Sequence, residues 1–469
     1  MTWRELTGFS TELVGAYRRN EATRGSILQL QARRVDELLR VARTTRRYAG
    51  LWALGHAPVI DKATLQAAFD DVLVPGAPTK QQVQAFLASA APASLLQGRY
   101  IAATTSGTTG EMGIFVVDDA SFARLRATTF ARLFRGLLRP EGFALLAKRR
   151  YRMTFVVATG GHTMTSVLAL RMPKAGRVAA DVRVLSINEP VTRQVASLNA
   201  APPLLLHSYA TVLEVLAHEQ LAGRLRIAPE LISAGSEVLT STARATLALA
   251  FPTATILETW AATEHTALAV GCAHGHLHIN EDAAIVEAVD ADDKPVAVGT
   301  LSHHVVVTNL LNHTQPLLRY RIDDRVRLVA ERCGCGSPFQ RVEVEGRTDD
   351  TIYLDDGVDF QAHTPIPLEI ALLGTPHLQQ FQLVHQAQNA LLCRVVCADD
   401  ASRVVVEHVR ARLLRYLEMH GLLERVSVDV EPVGSLRRHE RSGKLRQITS
   451  EVVAPQRSIA AALRRRELP

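Results

Sequence analysis

Apolar residues at Ile27, Leu28, Leu30, Val35, Leu38 and Leu39 recur at helical spacing with arginine and glutamate between them, and the chain from about Trp3 to Ala91 reads as mostly helical. Asp61-Lys62-Ala63-Thr64-Leu65 has the form of a helix start, and Pro75-Gly76 with Pro78 marks a loop. Beyond the apolar turn Tyr100 to Ala103 the period changes. Phe115-Val116-Val117 reads as a strand, with Asp118-Asp119 capping a helix to about Leu138. Arg152 to Val157 then runs into Thr159-Gly160-Gly161-His162, and Leu204-Leu205-Leu206 into His207-Ser208-Tyr209. Leu231-Ile232-Ser233 runs into Ala234-Gly235-Ser236-Glu237, and Thr255 to Trp260 into Ala261-Ala262-Thr263-Glu264-His265. Four strand-then-polar-turn units in succession predict an α/β domain with a site at its strand ends.

From about His278 to Val344 short β segments follow, at His303 to Thr308, Leu317 to Arg321 and Val326 to Val329. They predict a sheet or barrel-like subdomain. Glu345-Gly346-Arg347-Thr348-Asp349-Asp350 is polar and glycine-bearing, and marks a boundary. Past it, strands at Phe381 to Val384 and Ala390 to Val396 precede a helical face of Val406, Val409, Leu413 and Leu417 that ends at Gly421, and a strand Val426 to Val430. This β-β-α-β pattern predicts a second, smaller domain.

With 469 residues the chain exceeds one ordinary core, and its 47% apolar and 21% charged residues are those of a globular protein. A net charge of +6 raises the question of nucleic acid, but Lys148-Arg149-Arg150 and Arg464-Arg465-Arg466 lack interleaved aromatics and read as solvated faces and a basic tail. No apolar run is long enough to span a bilayer, and the start lacks a signal-peptide pattern, so a cytoplasmic location without membrane partners is expected. Five cysteines make a disulfide framework an unlikely design for such a chain.

Two constellations carry chemistry. The first is Thr104-Thr105-Ser106-Gly107-Thr108-Thr109-Gly110, whose glycines bring backbone N–H groups close to a ligand and whose hydroxyls suit a triphosphate. It is not a Walker A loop, since Glu111 follows the last glycine where a lysine would stand, so positive charge must come from elsewhere. An ordinary Ser/Thr-rich turn is the bland alternative. The second is Cys272 and His278 with Cys333-Gly334-Cys335, three thiolates and an imidazole that match a closed tetrahedral zinc site. His274 and His276 are rival ligands, and buried cysteines beside a core histidine are the alternative. Gly161, His162, His207, Tyr209 and His265 lie where an acid substrate would sit and are pocket candidates.

The hydroxyl loop, Trp260-Ala261-Ala262-Thr263-Glu264, Arg319-Tyr320-Arg321-Ile322-Asp323-Asp324, Gly346-Arg347-Thr348-Asp349-Asp350 and Ser442-Gly443-Lys444 occur in that order. Order and spacing resemble the adenylate-forming superfamily of acyl-CoA synthetases, adenylation domains and luciferases. Gly275 to Asp282 and Gln315 to Asp324 resemble its phenylacetate–CoA ligase branch. The resemblance implies an α/β fold with a large multi-sheet N-terminal adenylation domain (1–346, its β subdomain with the zinc site about 270–344), a hinge at 347–350 including Asp349, and a small mobile α+β C-terminal domain (351–469). It implies that Thr105, Ser106, Gly107, Thr108, Thr109 and Gly110 hold ATP phosphates, with Ala234, Gly235, Ser236, Glu237, Glu258, Thr259, Trp260 and Thr263 around the nucleotide. Glu264 would hold magnesium, Asp324 the ribose, and Arg347 the ribose or a phosphate, while Lys444 would be the mobile catalytic cation. Ala261 and Asp323 replace glycines usual in the superfamily, and Glu111-Met112 its frequent proline region. The implied activity is adenylation of a carboxylic acid, by branch an aromatic one, and acyl transfer to CoA or a carrier-protein thiol. A small oxoacid such as nitrite, an amine acceptor, or a silent zinc-stapled binding protein are the alternatives, in a monomer or homodimer.

Overall fold

The computed structural model describes residues 3–92, 94–105, 113–136, 152–159, 161–176, 181–345, 352–357, 360–363, 365–372, 375–397, 402–436 and 447–452. Ser106 to Gly110, Arg347, Asp349 and Lys444 lie outside them.

The N-terminal part is helical as its periodicity predicts: α1 (Trp3–Arg19), α2 (Arg24–Ala42), α3 (Lys62–Ala67) and α4 (Lys80–Ser89). Each of the last three begins on a residue whose oxygen takes an orphan N–H, Thr23, Asp61 and Thr79, the last in a full capping box with Gln82. The apolar stretch expected to turn at Tyr100 is instead β1 (Tyr100–Thr104), paired antiparallel with β2 (Ile114–Asp118) in an all but fully buried hairpin. Burial on both faces removes the alternation by which such a strand is recognised. Asp118 caps α5 (Asp119–Leu133), which ends short of the expected Leu138.

Next come β3 (Met153–Val157), α6 (Met164–Gly176), β4 (Val182–Ser186), α7 (Val191–Ala200), β5 (Leu205–Tyr209), α8 (Ala210–Leu221), β6 (Leu231–Gly235), α9 (Ser241–Ala250) and β7 (Thr255–Ala262). Strands β4, β3, β5, β6 and β7 pair in parallel in that spatial order, so their carboxyl ends open on one side. The strand β4 is a fifth unit that the sequence reading missed. The remaining strands of the large region are β8 (His265–Gly271), β9 (Leu277–Ile279), β10 (Ala284–Val289), β11 (His304–Asn309), β12 (Tyr320–Ile322), β13 (Val326–Val329) and β14 (Arg341–Val344). The sheet continues antiparallel from β7 through β8, β9, β14 and β13 to nine strands, while β10, β11 and β12 form a separate antiparallel sheet.

The following segment holds β15 (Ile352–Asp355), β16 (Phe360–His363), α10 (Pro365–Leu372), β17 (Leu378–Ala387), β18 (Ala390–Cys397), α11 (Ser402–Met419), β19 (Ser427–Pro432) and β20 (Ile448–Ser450). Val405, Val409, Leu413 and Leu417 of α11 pack with Phe381, Leu383, Leu391 and Val395 into an apolar core built from this segment alone. The fold is α/β, with a large multi-sheet region followed by a small α+β unit.

The N-terminal helices are clamped to the sheet by buried charge. Asp282, wholly inaccessible, meets Arg19 at 2.5 Å and Arg132 at 2.7 Å, and Arg34 holds its carbonyl. Burial alone would raise the Asp282 carboxyl, but Arg132, Arg19 and Arg34 pull it down to about 2. Glu12 pairs with Arg34 at 2.9 Å, tying α1 to α2.

Candidate active site

Four of the five parallel strands deliver residues to the open end of the sheet. Beyond β3 stand Gly161, at φ +69°, and His162. The His162 carbonyl accepts the Thr104 N–H at 2.8 Å, and its Nε2 donates to the Ala90 carbonyl at 3.0 Å, so the ring is buried as a brace between the hairpin and α4. The neck of the hydroxyl loop is closed by Thr105, whose N–H donates to the Gly113 carbonyl at 2.9 Å and whose Oγ1 accepts the Gly113 N–H at 3.0 Å.

His207 and Tyr209, expected on a turn, lie within β5, because parallel pairing runs on to Tyr209 opposite Gly235. The His207 Nδ1 lies 3.0 Å from the Ser233 hydroxyl, and burial lowers this imidazole to about 4, so it is neutral. A β-carbon at Gly235 would come within 3.1 Å of the His207 ring, so the glycine lets the ring sit close against β6. The Tyr209 hydroxyl accepts the Ala158 N–H at 3.3 Å. At the end of β6, Ala234 is buried, Ser236 adopts φ +64°, and the Glu237 carboxylate accepts the Thr211 N–H at 2.9 Å and hydroxyl at 2.7 Å. Glu237 thus orients the start of α8 beside the crevice.

The strand β7 supplies the densest set. Glu258 is held by the Leu239 N–H at 3.2 Å and by Arg244 at 3.4 Å, and Thr259 is buried with an unpaired Oγ1. Ala262 pairs directly with His265, so Thr263 and Glu264 form the two-residue tip of the β7–β8 hairpin. His265 is therefore in a strand and not on a turn. Its Nε2 donates to the Ala283 carbonyl at 3.1 Å and its Nδ1 accepts the Ala267 N–H at 3.2 Å; burial lowers it to about 4, and it is a neutral core brace, not a pocket residue.

Glu264 sits at the centre. Asn309 holds its carbonyl at 2.8 Å, leaving the carboxyl to face inward. Burial raises the carboxyl above its ordinary range and the Asp324 charge adds to this, while the Tyr320 hydroxyl and Lys62 oppose it. A half-buried carboxyl raised chiefly by desolvation, with a second carboxylate beside it, is a group that a hard cation would stabilise, and its oxygens suit magnesium. Asp324 takes the indole N–H of Trp260 at 2.9 Å, and Trp260, only 7% exposed, packs on Leu268 and Ala269. A narrow pocket bounded by Phe115, Val117, Met164, Leu317, Asn309 and Glu264 opens beside this group.

A second cluster lies on the antiparallel half of the sheet. The donor atoms of Cys272, His278, Cys333 and Cys335 all lie within 4.8 Å of one another. Cys272 and Cys333 sulfurs are 3.7 Å apart, and Cys335 Sγ is 3.4 Å from His278 Nε2. The other ring nitrogen of His278 donates to the Phe339 carbonyl at 3.2 Å, fixing the tautomer that presents Nε2. Both cysteine turns use left-handed glycines, Gly275 at φ +77° and Gly336 at +72°. The rivals differ: His276 Nδ1 approaches Cys333 at 3.3 Å, whereas the His274 ring lies against Gly334. Neutral thiols gain little by such convergence, so the donor set fits a soft divalent ion held by four ligands.

No protein-family profile and no curated protein sequence matches the chain. Among solved structures it is similar to 2-hydroxyisobutyryl-CoA ligase in complex with 2-HIB-AMP and CoA in the thioesterification state, at 17% identity and a TM-score of 0.58, over 96% of this chain and 94% of that one. The same ligase in the postadenylation state with R3-HIB-AMP aligns over 96% and 94% at 17% identity, with a TM-score of 0.54. The chain has the fold of the adenylate-forming ligases.

Proposed function

We propose that this protein is an ATP-dependent ligase of the adenylate-forming superfamily that activates a carboxylic acid and passes the acyl group to a thiol. The observation that carries this reading is the convergence of Asp324, 64 residues from Trp260 in sequence, with Trp260 and Glu264 of the β7–β8 hairpin at the carboxyl end of a parallel sheet. In the first half-reaction an acid oxygen attacks the α-phosphorus of ATP, the bond to the β-phosphate oxygen breaks, and pyrophosphate leaves. In the second a thiol attacks the acyl carbon and AMP leaves. Glu264 holds the magnesium that neutralises phosphate charge, Asp324 accepts ribose hydroxyls, and Trp260 borders the base. Arg347 and Lys444 meet the phosphates from the hinge at 347–350 and the small domain beyond it. Domain rotation about that hinge brings Lys444 in for adenylation.

Phe115, Val117, Met164 and Leu317 give the pocket beside Glu264 an apolar wall, but at about 10 Å³ it holds no more than a water-sized group as it stands, so the class of acid is decided by assay. CoA or a carrier-protein phosphopantetheine is the acceptor. The cysteine–histidine cluster holds a structural zinc, with no open position for chemistry. Acid-dependent ATP–pyrophosphate exchange over aryl, aliphatic and small oxoacids, nitrite included, tests the reading. Exchange with one class is expected, lowered at least about a hundredfold by Lys444→Ala. Silence with every acid would favour a binding protein of the same fold.

A further inference from the structure

Arg244, on α9, stands between the cysteine–histidine cluster and the nucleotide side of the crevice. Its guanidinium donates to the Ile256 carbonyl at 3.2 Å and to the Glu258 carboxylate at 3.4 Å, both on β7. The other oxygen of Glu258 accepts the Leu239 N–H at 3.2 Å. Leu239 lies in the turn between β6 and α9, just after Ser236 and Glu237, so one carboxylate ties that turn to β7. Burial raises the Glu258 carboxyl, and the Leu239 N–H and Arg244 pull it back.

The cysteine turn closes the other side of Arg244. The Gly275 N–H donates to the Cys272 carbonyl at 2.8 Å, and a β-carbon on Gly275 would lie 3.8 Å from the guanidinium carbon of Arg244. Next to Cys272, Gly271 packs so closely on β7 that a β-carbon there would meet the Glu258 backbone nitrogen at 2.8 Å. The turn that carries a metal ligand therefore reaches Glu258 twice, through the Arg244 side chain and through backbone.

We propose that Arg244 is a positioning residue that couples the cysteine–histidine cluster to the turn after β6, so that the nucleotide side is held more firmly when the cluster is filled. The inference rests on the ligase reading and adds a means of regulation to it. A fixed Cys272 turn confines the guanidinium against Glu258. Once that turn is loosened the guanidinium gains room, and the grip of Glu258 on Leu239 weakens. Arginine suits the place because its planar fork reaches a carbonyl and a carboxylate at once.

The test compares wild type, Arg244→Ala and Arg244→Lys, each zinc-loaded and chelator-treated. The readouts are hydrogen exchange over residues 236–240 and titrations with AMP and with ATP. In zinc-loaded Arg244→Ala the Leu239 amide should exchange faster, and AMP and ATP should weaken by the same factor, roughly 3- to 10-fold. Zinc content and KM for the acid should stay as in wild type, and Arg244→Lys, which keeps the charge without the fork, should fall between the two. Chelation of the wild type should reproduce both changes, whereas chelation of Arg244→Ala should add little, because both act through one contact. Slow exchange and full nucleotide affinity in zinc-loaded Arg244→Ala would overturn the proposal. So would losses that simply add on chelation, or chelation that speeds exchange throughout the parallel sheet. Wild-type protein that binds no nucleotide would overturn the ligase reading instead, and exchange over residues 236–240 would still decide the coupling.

Discussion

Single residues decide how the crevice keeps its shape. Gly113 is the clearest case, since a β-carbon there would press at 3.1 Å on Lys62, Thr105 and Phe115 together. Gly113→Ala should weaken ATP severalfold in the exchange assay while leaving the melting temperature within a few degrees, because a few tenths of an ångström at one neck is a local strain. His265 sets a pH limit. Its Nδ1 accepts an N–H, so a second ring proton has no acceptor, and its folded value of about 4 lies below the ordinary 6.5. A lowered histidine contributes stability that is fully present above the unfolded value and is lost as pH falls through the folded one. Melting temperature should therefore decline between about pH 6.5 and 4, more gently in His265→Gln, which keeps one donor and one acceptor. The sequence placed this histidine correctly next to Glu264 but read it as a turn residue, because nothing local shows that the turn is only two residues long.

At the scale of elements, the order of strands and helices was legible wherever one face meets water, as in α2 and α11. Sequence patterning missed β1 and β8, whose near-complete burial leaves no alternation, and it missed β4, a short strand interrupted by exposed Arg183; β6, equally buried, was legible from its apolar run and the glycine turn after it. The Asp282 cluster was also invisible, since Arg19, Arg34 and Arg132 reach it from three separate helices. Removing its charge would strand these arginines in a dry interior. Asp282→Asn should cost roughly 3 kcal/mol in denaturant unfolding, a far larger loss than a surface ion pair gives. The metal cluster was legible because cysteine spacing is itself the signal, and geometry adds the His278 tautomer and the left-handed glycines. Metal analysis of purified protein should return about one zinc per chain. Cys335→Ser should lose zinc and melt roughly 5 °C lower. A metal-free, equally stable wild type would contradict the site.

For the whole molecule, the motifs announced a chemistry that their spacing alone could not assemble. Trp260 and Asp324 touch only because β7 and the chain after β12 meet at the open end of the sheet, and the Ile60 bridge ties the start of α3 to β12. The last contact had no signature in sequence, being a long-range consequence of topology. Two halves of the site thus come from distant segments, and the proposed catalytic Lys444 would come from a third. The central claim is that a carboxylate oxygen attacks the α-phosphorus, and it predicts where that oxygen goes. With an acid doubly labelled with oxygen-18 in its carboxyl group, complete turnover with a thiol acceptor should leave one labelled oxygen in AMP, read by mass spectrometry. Label found in inorganic phosphate with ADP as the product, or unlabelled AMP, would contradict the account.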